Sequence, residues 1–317
     1  WVKGGTMNDS MRTCIFAVGL AATAGVGAAQ ADGRFELQST NMVTRSDPFS
    51  ADEELTALGA GVFDLETGWD SNTWVRRVQP LSGRQVLRFE GQLRLRGYPD
   101  RDELNSVLVT PRLQYWNTTA DNRLQLRLSA GCSALSRDGD AHWTRPEAEA
   151  QLRYRPEGGR ALETVFRVRA NAYDFERANL QGLDSERVRI GVEQFFRPMD
   201  EALVVQLSAY FEQADADEDR FSFDETRLRG EIIWNIDDAS SAALLADYRD
   251  RDYEAAFSTQ EPFARADERF EVEARYERKL TERVNAFVAA GYLDNRSNIQ
   301  ARDYDGATFR AGFSLSL

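Results

Sequence analysis

The feature that most constrains this chain is a strict two-residue alternation, clearest in the stretch Phe309 to Leu317. Phe309, Ala311, Phe313, Leu315 and Leu317 alternate with Arg310, Gly312, Ser314 and Ser316. Successive side chains of a strand point to opposite faces, so one face is apolar without a break and the other is polar. Such a stripe needs a cover, which is either a second protein layer or hydrocarbon. Hydrocarbon admits strands only when they close into a barrel, because every backbone group must find a partner within the protein.

The alternation recurs upstream. Phe63 to Trp69 reads as a strand ended by turn residues Asp70-Ser71-Asn72, and Trp74 to Gln79 reads as its return. Further segments are Leu87 to Leu95, Val107 to Tyr115, Leu124 to Cys132, Ala148 to Tyr154 and Leu162 to Ala172. Val188 to Phe196, Leu203 to Phe211, Thr226 to Trp234, Ala242 to Tyr248, Phe270 to Tyr276 and Val284 to Tyr292 precede the closing strand. The expected fold is therefore all-β, a transmembrane antiparallel up-and-down barrel of fourteen strands over residues 59–317.

The connections alternate as such a barrel requires. Short Pro/Gly/Asp/Asn turns lie at Pro80 to Gly83, Thr118 to Asn122, Pro156 to Arg160, Pro198 to Glu201, Asp237 to Ser240 and Lys279 to Glu282. Longer acidic loops are expected at 97–105, 133–145, 174–184, 212–223, 251–267 and 294–304. Short turns on the periplasmic side and longer loops outside are the barrel pattern, and an even strand count puts both ends of the barrel on the short-turn side.

An aromatic ends each strand that descends to a short turn: Tyr115, Tyr154, Phe196, Trp234 and Tyr276. Subtracting residue numbers gives spacings of 39, 42, 38 and 42. Aromatics at one depth form an interfacial girdle, since their rings prefer the headgroup layer. A period near forty also fits a β-propeller blade, but a blade holds four short strands and here each period holds two long ones. A β-sandwich would be overfilled by fourteen such strands.

The polar face is heavily charged. The residues expected to face the lumen are Arg88, Glu90, Arg94, Arg112, Arg127, Glu147, Glu149, Arg153, Arg167, Arg169, Arg187, Arg189, Arg227, Arg229, Glu231, Glu271, Glu273 and Arg275. Facing lipid at mid-depth, each Arg would cost about 2–4 kcal/mol. Both signs are interspersed, which reads first as a mesh of ion pairs stiffening the wall and second as a constriction selecting solutes.

Ahead of the barrel, Met11-Arg12 precedes a small-residue apolar run from Cys14 that ends Ala29-Gln30-Ala31. This is the pattern of a secretory signal peptide over residues 1–31, cleaved between Ala31 and Asp32, with Trp1 to Thr6 upstream of the first methionine, Met7. Residues 32–58 are weakly patterned and read as a periplasmic tail or a small plug. After residue 31 no apolar run is long enough for a transmembrane helix, and the mean hydropathy of -0.53 suits a barrel whose every second residue is wet. The net charge of -13 argues against nucleic acid as a partner. After cleavage Cys132 alone would remain, excluding an internal disulfide. Lys3 and Lys279 are the only lysines, so arginine supplies nearly all positive charge in a form suited to forked carboxylate pairing.

Catalytic and metal chemistry have little support. The only histidine, His142, falls in an expected loop near Ser133 and Ser136, where a lipid hydrolase would need a base held by a rigid partner. Acidic loop residues, including Asp215, Asp217, Glu218 and Asp219, lack the glycine and distal glutamate of an EF-hand. They read as solvated charge, with cation enrichment at the mouth as the sharper alternative. No metal or cofactor is expected.

Two motifs carry a narrower resemblance. Gly68-Trp69-Asp70-Ser71-Asn72, and Asn295-Arg296-Ser297-Asn298-Ile299 followed by Asp303-Tyr304-Asp305, resemble the barrel domain of the surface lipoprotein assembly modifiers, over about residues 59–317. That resemblance implies an outer-membrane translocator with a periplasmic or lipoprotein partner. The family's helical-repeat domain has no counterpart here beyond residues 32–58. The expected function is a charged passage for transport or translocation by a monomer. A small diffusion porin with an Arg/Glu constriction, an outer-membrane lipid hydrolase and a purely structural barrel are the alternatives. Expected partners are outer-membrane lipid, lipopolysaccharide and, through the last strand, the barrel assembly machinery.

Overall fold

The computed structural model describes residues 33–47, 64–156, 161–199 and 202–317. The expected signal peptide and its Ala31/Asp32 junction lie outside these residues. Fourteen antiparallel strands close into one barrel in which each strand pairs its neighbours in sequence and β1 pairs β14. They are β1 (Arg34–Ser46), β2 (Glu66–Pro80), β3 (Gln85–Gly97), β4 (Ser106–Thr118), β5 (Leu124–Arg137), β6 (Asp140–Tyr154) and β7 (Leu162–Phe175). The second half comprises β8 (Ser185–Phe196), β9 (Leu203–Ala216), β10 (Phe223–Asn235), β11 (Ser240–Ala256), β12 (Ala264–Lys279), β13 (Val284–Ser297) and β14 (Tyr304–Ser316). Closure runs from Gln38 opposite Ser316 to Arg45 opposite Phe309, and is extended by reciprocal Leu37/Leu317 backbone bonds of 2.9 and 2.8 Å. Closing the ring leaves no unpaired edge.

The strand count agrees with the sequence reading, but two errors there cancel. The turn expected at Asp70-Ser71-Asn72 is absent. These residues continue one strand, β2, with Asp70 opposite Met42 on one side and Arg96 on the other. Asp70 resembles a turn residue yet points inward, where Arg94 and Arg96 donate to it at 2.5 and 3.2 Å. The missing strand is β1, so residues 34–46 are wall and not the expected tail or plug. Its alternation is masked because its outward positions include Ser39 and Asn41. These join Ser71 and Thr73 of β2 in a hydrogen-bonded patch, with Ser71 donating to Asn41 at 2.8 Å and Asn41 to Ser39 at 3.2 Å. Mutual bonding lowers the cost of facing polar groups toward lipid.

The long-loop end also departs from expectation. The loop expected at 133–145 is a hairpin of β5 and β6 with a two-residue turn. Its central residues, Asp138 and Gly139, have φ of 50° and 80°, the left-handed pair that this tight turn requires. Large parts of the expected loops 212–223 and 251–267 are strand, so Asp215, Asp250, Asp252 and Glu254 belong to the wall. His142 is likewise not in a mobile loop. It is the extra residue of a β-bulge between Leu135/Trp143 and Ser136/Ala141, only 3% exposed, with its ring edge-on to Phe175.

The strands exceed the ~10 residues needed to cross a bilayer, and their pattern reverses where they outrun it. On β7 the outward residues Phe166 and Val168 are apolar and well exposed, whereas Asp174 further along the same face is charged. Its inward face changes from Arg167 and Arg169 to buried Tyr173 and Phe175. β10 behaves alike: Leu228 outside gives way to Asp224, and Arg227 inside gives way to Phe223. Along the crossing, lipid is outside and water inside. Beyond it, the outward positions are charged and inward side chains from part of the wall pack into an apolar cluster.

That core lies at the long-loop end. Leu135, Trp143, Tyr173, Phe175, Phe223 and Tyr253 from the wall pack with Leu180, Leu183 and Phe221 from two short 3₁₀ turns. Each large side chain buried there contributes about 1.5–3 kcal/mol. A smaller cluster of Leu65, Tyr98, Leu104, Leu293 and Tyr304 lies apart from it. Beside Tyr304, Asp47 accepts from the Tyr304 hydroxyl at 2.7 Å and from Arg269 at 2.6 Å.

Candidate functional site

The lumen is built from the inward parity of the strands. Antiparallel neighbours standing directly opposite point to the same side. Arg112 thus faces Glu90 across one rung of the ladder, whereas Arg227, which stands opposite Arg249, reaches diagonally to Asp247 on the next inward rung. A fork of guanidinium donors spans such a rung or the next.

The residues expected in the lumen occupy these inward positions and form pairs. Arg88 approaches Glu90 at 3.5 Å, and Arg76 donates to the same carboxylate at 2.8 Å. Arg94 pairs with Asp70, while Arg112 bonds Glu147, which also meets Arg145 at 3.4 Å. Arg127 lies over the Trp116 ring, 5.3 Å from its centroid. Arg153 meets Glu163 at 3.5 Å, and Arg167 lies 2.9 Å from Glu193 and 3.8 Å from Glu149. Arg169, Arg187 and Arg189 converge on Glu212. Arg227 forks onto Asp247 with bonds of 2.9 and 2.6 Å, and Arg229 reaches Glu231 at 3.4 Å. Arg310 bridges Glu271 and Glu273 at 3.3 and 2.6 Å, and Arg275 meets Glu277 at 2.6 Å. Arg123, whose charge a longer β5 would have turned inward, sits in the exposed turn before that strand.

Several members of this network were not legible as lumen residues. Asp70 was assigned to a turn, while Glu212 and Arg251 fell within expected loops and Glu225 just ahead of a strand. Their signal is parity, since Glu212 continues the phase of Tyr210 and Glu225 that of Arg227. Glu225 accepts from Arg251 at 2.9 and 2.5 Å, with Arg249 at 3.6 Å and Arg189 at 4.0 Å. Above this level the arginines support the aromatic cluster. Arg187 stacks on Tyr173 at 4.1 Å, Arg251 on Phe223 at 4.2 Å, and Arg145 donates to the Tyr173 hydroxyl at 2.7 Å. Cations over ring faces are attracted by the ring quadrupole, most strongly where water is excluded.

A polar recess of about 370 Å³ opens in the wall between Glu149, Arg167, Arg169, Arg189, Glu193, Gln206, Tyr210, Arg227 and Arg229. Tyr210 leans across Gly191, where a Cβ would fall 2.2 Å from the Tyr210 ring, and its hydroxyl donates to Glu193 at 2.6 Å. Ser133, a nucleophile candidate on sequence grounds, instead accepts from Thr110 at 2.9 Å and faces Arg145 at 3.5 Å. Among the described residues no group of three or more His, Cys, Asp or Glu side chains is arranged to hold a metal ion.

On the outside, Tyr154, Phe196, Trp234 and Tyr276 are exposed, and Tyr115 half-buried, at the short-turn ends of their strands. A second aromatic level, Phe211, Tyr248, Phe270 and Tyr292, stands nearer the other end. Between the levels the surface is mainly Leu, Val, Ile and Ala, interrupted by Phe166, the hydrogen-bonded Thr164–Gln194 pair and the polar patch on β1 and β2. In the exposed turns, Thr119 donating at 2.6 Å holds Asp121 below the usual carboxylate range. The Ala239 backbone N–H does the same for Asp237 at 2.8 Å. At the long-loop end, burial pushes the Asp184 carboxyl up although the Phe175 N–H donates to it.

No family model matches the sequence, and no curated protein matches it. Among solved structures, an anion-selective porin from Comamonas acidovorans is similar over 90% of this chain and 100% of its own, at 9% identity and a TM-score of 0.51. The chain shares the fold of outer-membrane β-barrels. OmpT, an outer membrane protein of Vibrio cholerae, covers 92% of this chain and 100% of its own at 9% identity and a TM-score of 0.48. The outer membrane channel DcaP of Acinetobacter baumannii covers 91% and 99% at 10% identity and 0.49. Identities this low speak to fold alone. The two aromatic levels with the apolar belt between them place the barrel in the outer membrane of a Gram-negative bacterium.

Proposed function

We propose that this barrel is a passage for small hydrophilic solutes across the outer membrane. The observation that carries the reading is the charged, hydrogen-bonded inner face, which includes a polar recess of about 370 Å³ at mid-wall. A purely structural barrel of this kind would be as stable with a smaller and less charged interior, since burying ion pairs gives little net stability. Small solutes fit better than polypeptide cargo, because inward aromatics and the 3₁₀ turns pack together inside the long-loop end.

The lipoprotein-translocation reading has weaker support. One of its two motifs, Gly68 to Asn72, is continuous strand and not a strand-ending turn. A hydrolase is disfavoured by the burial of His142 in a bulge and by the engagement of Ser133 with Thr110. On this reading the partners are outer-membrane lipid and lipopolysaccharide along the belt and the barrel assembly machinery at β14. The test is conductance of purified barrel in a planar bilayer. Discrete steps are expected, and a barrel that inserts but stays silent would refute the passage.

A further inference from the structure

The formal charge of the chain is -13, yet the stretch of inner wall around the recess presents mainly arginine. The two signs are layered. Glu163, Glu193, Glu212 and Asp247 lie against the wall with side chains 2–9% exposed. Arg153, Arg167, Arg227 and Arg229 arch over them and remain 22–36% exposed. At this part of the wall a solute therefore meets guanidinium groups before carboxylates, whereas Glu231, Glu271 and Glu277 elsewhere on the inner face are 22–28% exposed. The negative excess lies elsewhere: Asp174, Asp215, Asp224, Asp252 and Glu254 are exposed on the outer wall or loop side of the long-loop end. Net charge thus misreports the sign of the interior.

The layering is most one-sided at the recess, where five arginines and two glutamates line about 370 Å³. Arg229 is the most accessible of the five, held by one 3.4 Å contact to Glu231. Arg167 reaches the same space from β7. Guanidinium forks suit planar or tetrahedral oxyanions, and a low-dielectric wall concentrates their field.

We infer that the lumen favours anions and that this recess is a transient seat for a compact oxyanion, a carboxylate or phosphate group carried by the solute. The inference rests on the passage proposed above, and the experiment separates the two. Reversal potentials of the barrel in a KCl gradient, and titration of detergent-solubilised barrel with inorganic phosphate and with citrate, are compared for wild type, R167Q/R229Q and R229K. Anion-favouring wild-type current is expected, together with phosphate or citrate binding about tenfold or more weaker in the double glutamine variant, as loss of charge-assisted bonds dictates. R229K should retain the ion preference. Preferential binding of one probe identifies the oxyanion class. A silent barrel that still binds phosphate or citrate through these arginines would refute the passage and leave the seat standing. A conducting barrel that prefers cations, or whose binding and selectivity ignore R167Q/R229Q despite a folded, heat-modifiable band, would overturn the anion inference and leave the passage.

Discussion

Replacing Glu225 with Gln tests the connection between the ion network and the aromatic cluster above it. The Glu225 side chain is 2% exposed and answers three arginines: Arg251 through two bonds, Arg249 at 3.6 Å and Arg189 at 4.0 Å. The substitution keeps shape and one acceptor but removes the charge, leaving buried guanidinium groups uncompensated. Breaking a buried pair costs about 3–5 kcal/mol, and the retained carbonyl places E225Q near the lower end. Because Arg251 also lies on Phe223, the loss should reach the aromatic cluster. Reversible urea unfolding in phospholipid vesicles measures the first effect, and hydrogen exchange along β10 the second. Exchange should rise near Phe223 and stay unchanged near Trp234. The exposed acid Glu254 supplies the control through E254Q. A loss in E225Q below about 1 kcal/mol, or one equal to that of E254Q, would refute the reasoning, because an exposed charge contributes little.

Other expectations follow from the same geometry. Phe313→Arg should lower folding stability in vesicles by about 2–4 kcal/mol, the cost of arginine on the lipid face, while Ser314→Arg next to it, facing the lumen, should cost far less. Gly139→Val should destabilise the β5–β6 hairpin by about 1–2 kcal/mol, because its φ of 80° is hostile to a β-branched side chain. Unfolding of G139V at the same urea concentration as wild type would contradict the turn geometry. Asp121 should titrate below the ordinary carboxylate value of about 3.9. With its folded pKa depressed, its contribution is present above the unfolded pKa and fades as pH falls through the folded one. Carboxylate NMR of the folded barrel reads this directly, and an unshifted titration would count against the Thr119 contact.

The crossing segments were legible because lipid and water enforce one phase over each of them. Leu203, Val205, Leu207, Ala209 and Phe211 keep the outward face of β9 apolar without a break. The long-loop ends were not legible, because the apolar phase changes face within a single strand. Beyond Val168 the outward side of β7 turns charged and Tyr173 and Phe175 face in, so a search for one continuous stripe stops at the reversal. The same reversal disguised Asp252 and Glu254, within the expected loop 251–267, as loop. β1 escaped for another reason: Ser39 and Asn41 interrupt its outward face, and only their bonds to β2 explain why they are tolerated. The charged lumen residues followed from parity alone. The layering of arginine over carboxylate did not, because it depends on side-chain length across a curved wall and not on order in the chain.

The central claim is that lipid bathes the outer face over the crossing and that this relation reverses above it. Nitroxide labels placed singly at Phe166, Arg167, Val168 and Asp174, in barrel reconstituted in vesicles, test it through their relative accessibility to oxygen and to a nickel chelate. Labels at Phe166 and Val168 should favour oxygen. Those at Arg167 and Asp174 should favour the chelate, although Asp174 shares the outward phase of Phe166. Four labels without alternation, or an Asp174 label as oxygen-exposed as that at Phe166, would contradict the account.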